Sequence, residues 1–181
     1  MDPTRRQIMR AIPVLAAGVG AASCGYALAG RGSFLPAYIK TLGIPMFVNS
    51  TPYSTVELYF TQKVRQEFQS RGPYSVIPAD VGVDGIVRGE ITGISPQPVG
   101  LSDLQLATRY RFVVTVKVKF EDVKQNKVLW ENPALSFSDE YEVSTPGGAN
   151  NASFVGQERA AIDRMSTDFA RFLVSAILEA F

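Results

Sequence analysis

Arg109 to Glu121, RYRFVVTVKVKFE, is the stretch that most restricts the fold. Tyr110, Phe112, Val114, Val116, Val118 and Phe120 share one parity, and Arg109, Arg111, Thr115, Lys117 and Lys119 share the other, with Val113 the only exception. Side chains of a strand alternate between its two faces, so this run is a strand with one side on a core and the other turned away from it. At about 3.3 Å per residue it spans roughly 35 to 40 Å, long for a globular domain. Its apolar side requires a second layer to cover it.

The flanking sequence supplies that layer and more sheet. A KQN turn (Lys124 to Asn126) leads back into KVLWENPALSFSDEYEV, where Val128 and Trp130 hold one parity and Leu135, Phe137, Tyr141 and Val143 the other. Asn132-Pro133 stands at the switch, which predicts a bulge or break there and an edge position for this strand. Upstream, Asp84 to Ile94 (DGIVRGEITGI) places Gly85, Val87, Gly89, Ile91 and Gly93 on one face of a further strand. Glycines so aligned either let another element approach closely or mark bulges. IPMFVNST (Ile44 to Thr51) predicts a first short strand. A first helix follows: Ser54 and Glu57 have capping-box spacing, Val56, Phe60, Val64 and Phe68 recur every four residues, and Gly72-Pro73 stops it. Near the C-terminus Ile162, Met165, Phe169, Phe172, Leu173, Ala176 and Ile177 recur at three and four. From Gln157 to Phe181 this makes roughly 37 Å of helix, enough to lie across the long strand. STPGGANNAS (Ser144 to Ser153) carries turn chemistry and predicts a mobile loop. The expected fold is α+β: a two-layer sandwich with a mixed four-stranded sheet and two helices packed on one face, spanning 44–181 as a single domain. The sheet's other face, carrying Arg109, Arg111, Lys117 and Lys119, is left open.

Composition narrows what such a fold does. With 18 basic and 17 acidic residues in 181, the formal charge of +1 argues against a general nucleic-acid binder. Histidine is absent, which removes Ser-His and Cys-His nucleophilic pairs and the commonest metal ligand. Glu121-Asp122 and Asp139-Glu140 are adjacent on strands and point to opposite faces, so neither forms a carboxylate dyad. The composition therefore points away from an enzyme, and no cofactor or metal is expected.

The single cysteine, Cys24, is excluded from any intramolecular disulfide. Before it stand a basic segment with Arg5, Arg6 and Arg10 and an apolar run, Ala11 to Ala22, of signal-peptide length and too short to cross a membrane as a helix. Thr4 to Arg10 (TRRQIMR) is similar to a twin-arginine export signal, although a basic segment serves the general route equally. AASC (Ala21 to Cys24) resembles the bacterial lipobox, with Ala21 where Leu or Val is usual; the other reading of Cys24 is a buried core thiol. The resemblance implies that 1–23 is a signal peptide and that Cys24 is the lipid-attachment residue. It also implies that 24–43 is a lipidated N-terminus and tether. Removing Arg5, Arg6, Arg10 and Asp2 leaves 15 basic residues against 16 acidic, a nearly neutral exported chain. Gly25, in place of Asp, implies outer-membrane sorting.

The export signal ending in cysteine, CGYALAG after it, the early β-α pair, the DGIVRGEITG strand, the long hairpin and the C-terminal helix together resemble the LptE family of lipopolysaccharide-assembly outer-membrane lipoproteins. The resemblance covers essentially the whole mature chain and rests on order and spacing. It implies a palmitate-type acyl anchor in the cell outer membrane, on the periplasmic side. It also implies that the protein plugs the LptD β-barrel, assists its assembly and binds lipopolysaccharide during insertion into the outer leaflet. Arg109, Arg111, Lys117 and Lys119 are the candidate lipopolysaccharide- or partner-facing residues; the alternative is a solvated outer face. The family's basic residues before the long strand and beyond the last one have no counterparts, since Ser95 to Ala107 and Phe137 to Glu158 contain no Lys or Arg. A lipoprotein assembly factor or pilot for another secretion barrel is the competing function.

Overall fold

The structure is a computed structural model and describes residues 35–101, 107–142 and 152–180. All of these belong to one compact unit, Ser33–Phe181. The elements run β1 (Thr41–Gly43), β2 (Val48–Asn49), α1 (Val56–Arg71), β3 (Ser75–Ile77), β4 (Gly85–Leu101), β5 (Ala107–Asp122), β6 (Lys127–Glu142) and α2 (Ala152–Leu178). The strands form one mixed sheet in the order β3-β1-β4-β5-β6, with β2 also paired to β4. β1, β2 and β3 pair in parallel, while β4, β5 and β6 form an antiparallel meander.

The α+β class with two helices is as expected, but the sheet has six strands rather than four. The expected first strand is split, because Pro45 has no N–H to give the ladder and pairing stops beside it. The added β3 is three residues long and bounded by Pro73 and Pro78. The segment read as a tether also differs over its described part. Leu35 and Ile39 are buried, Leu42 is fully so, and β1 begins at Thr41.

Phe112, Val114, Val116, Val118 and Phe120 of β5 are at most 1% exposed, at roughly 1.5–3 kcal/mol of burial each. Against them lie Val56, Phe60, Val64 and Phe68 of α1 and Met165, Phe169, Leu173 and Ile177 of α2. Phe169 is the centre of the packing, with ring centroids 5.1 Å from Phe60, 5.5 Å from Phe137 and 6.3 Å from Phe47. Lys63 and Asp163, 2.9 Å apart, join the two helices. Phe172 departs from the expected stripe: it is half exposed and rests edgewise on Phe137. The capping box does not form either. Thr55 holds the N-cap without a side-chain bond, and Glu57 instead accepts from Asn49 Nδ2 at 2.7 Å.

The glycine face of β4 resolves into both of its readings. A Cβ on Gly89 would come within 2.5 Å of the Phe47 ring, and one on Gly85 within 2.9 Å of Phe120, so these two admit close neighbours. Gly93 follows a register shift after Ile91 and its nearest neighbour would be 3.9 Å away, so it sits at a bulge. β4 also continues well past Ile94, through Pro96 and Pro98 to Leu101. There β5 is its only partner, and two prolines of one parity direct their missing N–H groups to the free edge. On β6 the register slips between the pairs at Val116 and Val118, skipping Pro133 and Ala134. That bulge lets Trp130 and Leu135, of opposite parity, pair with Phe120 and Val116 of one face. β6 lies at the sheet edge, as Pro133 predicts. The mobile loop expected at 144–153 lies outside the described residues up to 151; Ala152 and Ser153 open α2.

Candidate functional site

The helices cover one face of the sheet and leave the other to β4, β5 and β6. The long strand orients Arg109, Arg111, Lys117 and Lys119 to that open face, but they do not act as one basic row. Arg111 donates to Glu140 Oε1 from Nη2 at 2.7 Å and from Nε at 3.2 Å, and Arg109 Nη1 lies 3.7 Å from the other oxygen of Glu140. At the opposite end Lys119 Nζ is 2.6 Å from Glu121, which also accepts from Arg88 Nε at 3.4 Å. The bond from Lys119, with the Arg88 guanidinium adding to it, holds the Glu121 carboxyl below its usual range; the same bond raises the Lys119 ammonium.

Lys117 stands apart, at the position the β6 bulge skips. It makes no ion pair among the described residues and faces Glu90 across β4, whose carboxylate accepts from Ser50 at 2.9 Å. Between the two charged groups runs a band of hydroxyls: Thr115 Oγ1 and Ser136 Oγ are 3.3 Å apart, and Thr92 donates to the Thr115 carbonyl at 3.3 Å. The face is therefore polar along its length and compensated in charge. Its ion pairs are exposed, worth about 0–1 kcal/mol each, so they hold side chains in place without binding them tightly. Sequence reasoning missed Glu140 and Glu121 as partners of the basic residues. Glu140 meets Arg111 only through the register that the Asn132-Pro133 bulge sets, and that break was the available signal.

A second constellation, unforeseen in the sequence, closes the end of the sheet at the β5–β6 turn. Asp84 accepts the backbone N–H groups of Lys40 and Thr41 at 2.8 and 2.9 Å and pairs with Lys124 at 2.7 Å. The Lys124 bond and these amides hold its carboxyl down at about 2. Tyr38 donates its hydroxyl to Asp122, a fully buried carboxylate, and Lys124 Nζ lies 5.8 Å over the Tyr38 ring. Burial opposes ionisation of Asp122, but the bonds from Tyr38 and from the Gln125 and Lys124 amides outweigh it and lower its pKa. Residues 38–41 are thus clasped to the starts of β4 and the β5–β6 turn.

No group of three or more Cys, Asp or Glu side chains among the described residues is placed to hold a metal ion. No helix of the described residues is long and apolar enough to cross a membrane. Cys24 lies outside the described residues.

The lipopolysaccharide-assembly family LptE matches residues 39–177. No curated protein matches the sequence. Among solved structures, the chain is similar to an uncharacterized lipoprotein B from Nitrosomonas europaea at 15% identity and a TM-score of 0.56, covering 86% of this chain and 96% of that one. It is similar to a hypothetical protein from Chlamydia trachomatis at 13% identity and a TM-score of 0.52, over 78% and 97% of the two chains. The PelC dodecamer from Paraburkholderia phytofirmans matches at 12% identity and a TM-score of 0.52, over 77% and 89%. At these identities the solved structures establish a shared fold.

Proposed function

The chain belongs to the LptE family of lipopolysaccharide-assembly lipoproteins, and on that premise we propose that it is the plug of the outer-membrane lipopolysaccharide translocon. In this reading 1–23 is removed as a signal peptide and Cys24 carries the acyl chains that hold the protein to the periplasmic side of the outer membrane. The domain occupies the LptD-type β-barrel, supports its assembly, and meets lipopolysaccharide passing to the outer leaflet.

The observation that carries the reading is the open face. Wide β-barrels have polar interiors, and a plug must offer them hydrogen-bonding groups without a large charge of either sign. Hydroxyls at Thr92, Thr115 and Ser136, flanked by Arg111–Glu140 and Lys119–Glu121, meet that requirement. Contact with lipid A phosphates is the finer part of the proposal. Arg109, Arg111 and Lys119 already have carboxylate partners, so an arriving phosphate must compete with Glu140 or Glu121, whereas Lys117 is free to pair. A guanidinium released from Glu140 would give the bidentate contact that phosphate favours.

Affinity purification of the full-length protein from detergent-solubilised membranes tests the proposal. Recovery of a large β-barrel of the lipopolysaccharide translocon is the expected result; recovery of a different secretion barrel, or of none, overturns it. Cys24→Ala should abolish fatty-acid labelling and release the protein from the membrane.

A further inference from the structure

Resting on the reading of Cys24 as the anchor, we propose that the clasped end of the domain is a membrane-contacting surface. It would sit on the phosphate-bearing headgroups of a bilayer, with the long strands running away from it. The observations concern where the chain enters the domain and what that end exposes. Leu35 and Ile39 are buried, Tyr38 is held by Asp122, and Lys40 and Thr41 are held by Asp84, so the path of the chain is set from 35 onward. From Cys24 to Leu35 an extended chain reaches at most about 40 Å. β5, at about 3.4 Å per residue, is roughly 50 Å long. An anchor so short, entering at one end of the sheet, keeps that end near the bilayer when the domain stands upright.

The surface at this end suits the location. Val81, in the loop leading to Asp84, is 80% exposed, the most of any large apolar side chain described, and Val123 of the β5–β6 turn is 44% exposed. The two segments meet at Asp84, whose carbonyl accepts the Val123 N–H at 2.9 Å. The charges are sorted to match. Asp84 and Asp122 are turned inward on the clasp, and Asp80 is taken by Arg88 at 4.0 Å. Lys40 and Lys127 are exposed and have no ion pair among the described residues, which leaves two ammonium groups for lipid phosphates. Apolar tips between outward lysines are the arrangement by which a folded surface seats itself at the headgroup boundary.

The experiment uses the full-length lipidated protein in phosphatidylethanolamine–phosphatidylglycerol vesicles carrying a headgroup nitroxide lipid. A cysteine is introduced singly at Val81, Val123, Val48 or Val99 and labelled with a fluorophore; the only native thiol is the acylated Cys24. Labels at 81 and 123 should be quenched at least threefold more than labels at 48 and 99. Vesicle-bound protein with uniform quenching, or with the strongest quenching at 48 or 99, overturns the inference while leaving the anchor intact. Protein that fails to float with the vesicles removes the anchor itself, and the inference falls with it.

Discussion

On the inner side of β5, Phe112 through Phe120 are closed off from water by two helices, while Arg109, Arg111 and Lys117, each one residue away along the same strand, stay exposed. Burial of the inner side drives folding, and that side tolerates little. The outer side is held by exposed ion pairs and hydroxyl contacts that water can replace at small cost. A surface organised in this way can exchange its own pairs for a partner's without unfolding the domain, and that separation of stability from recognition is what the open face provides.

The contrast breaks most visibly at Phe169. Its truncation to Ala should cost about 3–5 kcal/mol, read as a large drop in the urea unfolding midpoint; an unchanged midpoint would mean that the helical layer does not hold the sheet. Within β4, Gly89→Ala drives a Cβ into the Phe47 ring and should cost about 1–3 kcal/mol. The same change at Gly93, where the nearest neighbour is 3.9 Å away, should move stability by less than about 0.5 kcal/mol. Comparing the two by thermal unfolding separates close approach from bulge.

The clasp at the β5–β6 turn is a surface feature with part of the core's coupling. The Asp84 carboxyl titrates at about 2 against an ordinary 3.8. A depressed carboxyl adds stability above its unfolded pKa and loses it as pH falls through the folded one. Unfolding midpoints should therefore decline between pH 3.8 and about 2 through this group, and Asp84→Asn should flatten that limb of the profile. The smallest effect belongs to the open face. A double-mutant cycle on Arg111 and Glu140 should give a coupling below about 1 kcal/mol. Charge reversal at Arg111 and Lys117 should leave the melting temperature nearly unchanged while weakening lipopolysaccharide or barrel binding.

The long strand, the parity switch at Asn132-Pro133 and both helices were legible because periodicity and proline chemistry act locally. β1 and β3 were not, since three-residue strands carry no period and exist only because β4 pairs with β1 and β1 with β3. The basic row was legible as residues but not as electrostatics. Its neutralisation depends on cross-strand register, which places Glu140 opposite Arg111, and no local pattern records that distance. The clasp was illegible for a similar reason: Tyr38 and Asp122 are 84 positions apart.

The most direct test of the partner face is photocrosslinking in intact cells, with a photoreactive residue placed at Thr115 or Ser136 on the open face and at Asp168 or Arg171 on the exposed flank of α2. The account predicts adducts of barrel size from 115 and 136 that contain the translocon barrel, stronger than any from 168 or 171. Adducts from the helical positions alone, or none from the open face of an exported and folded protein, would contradict it.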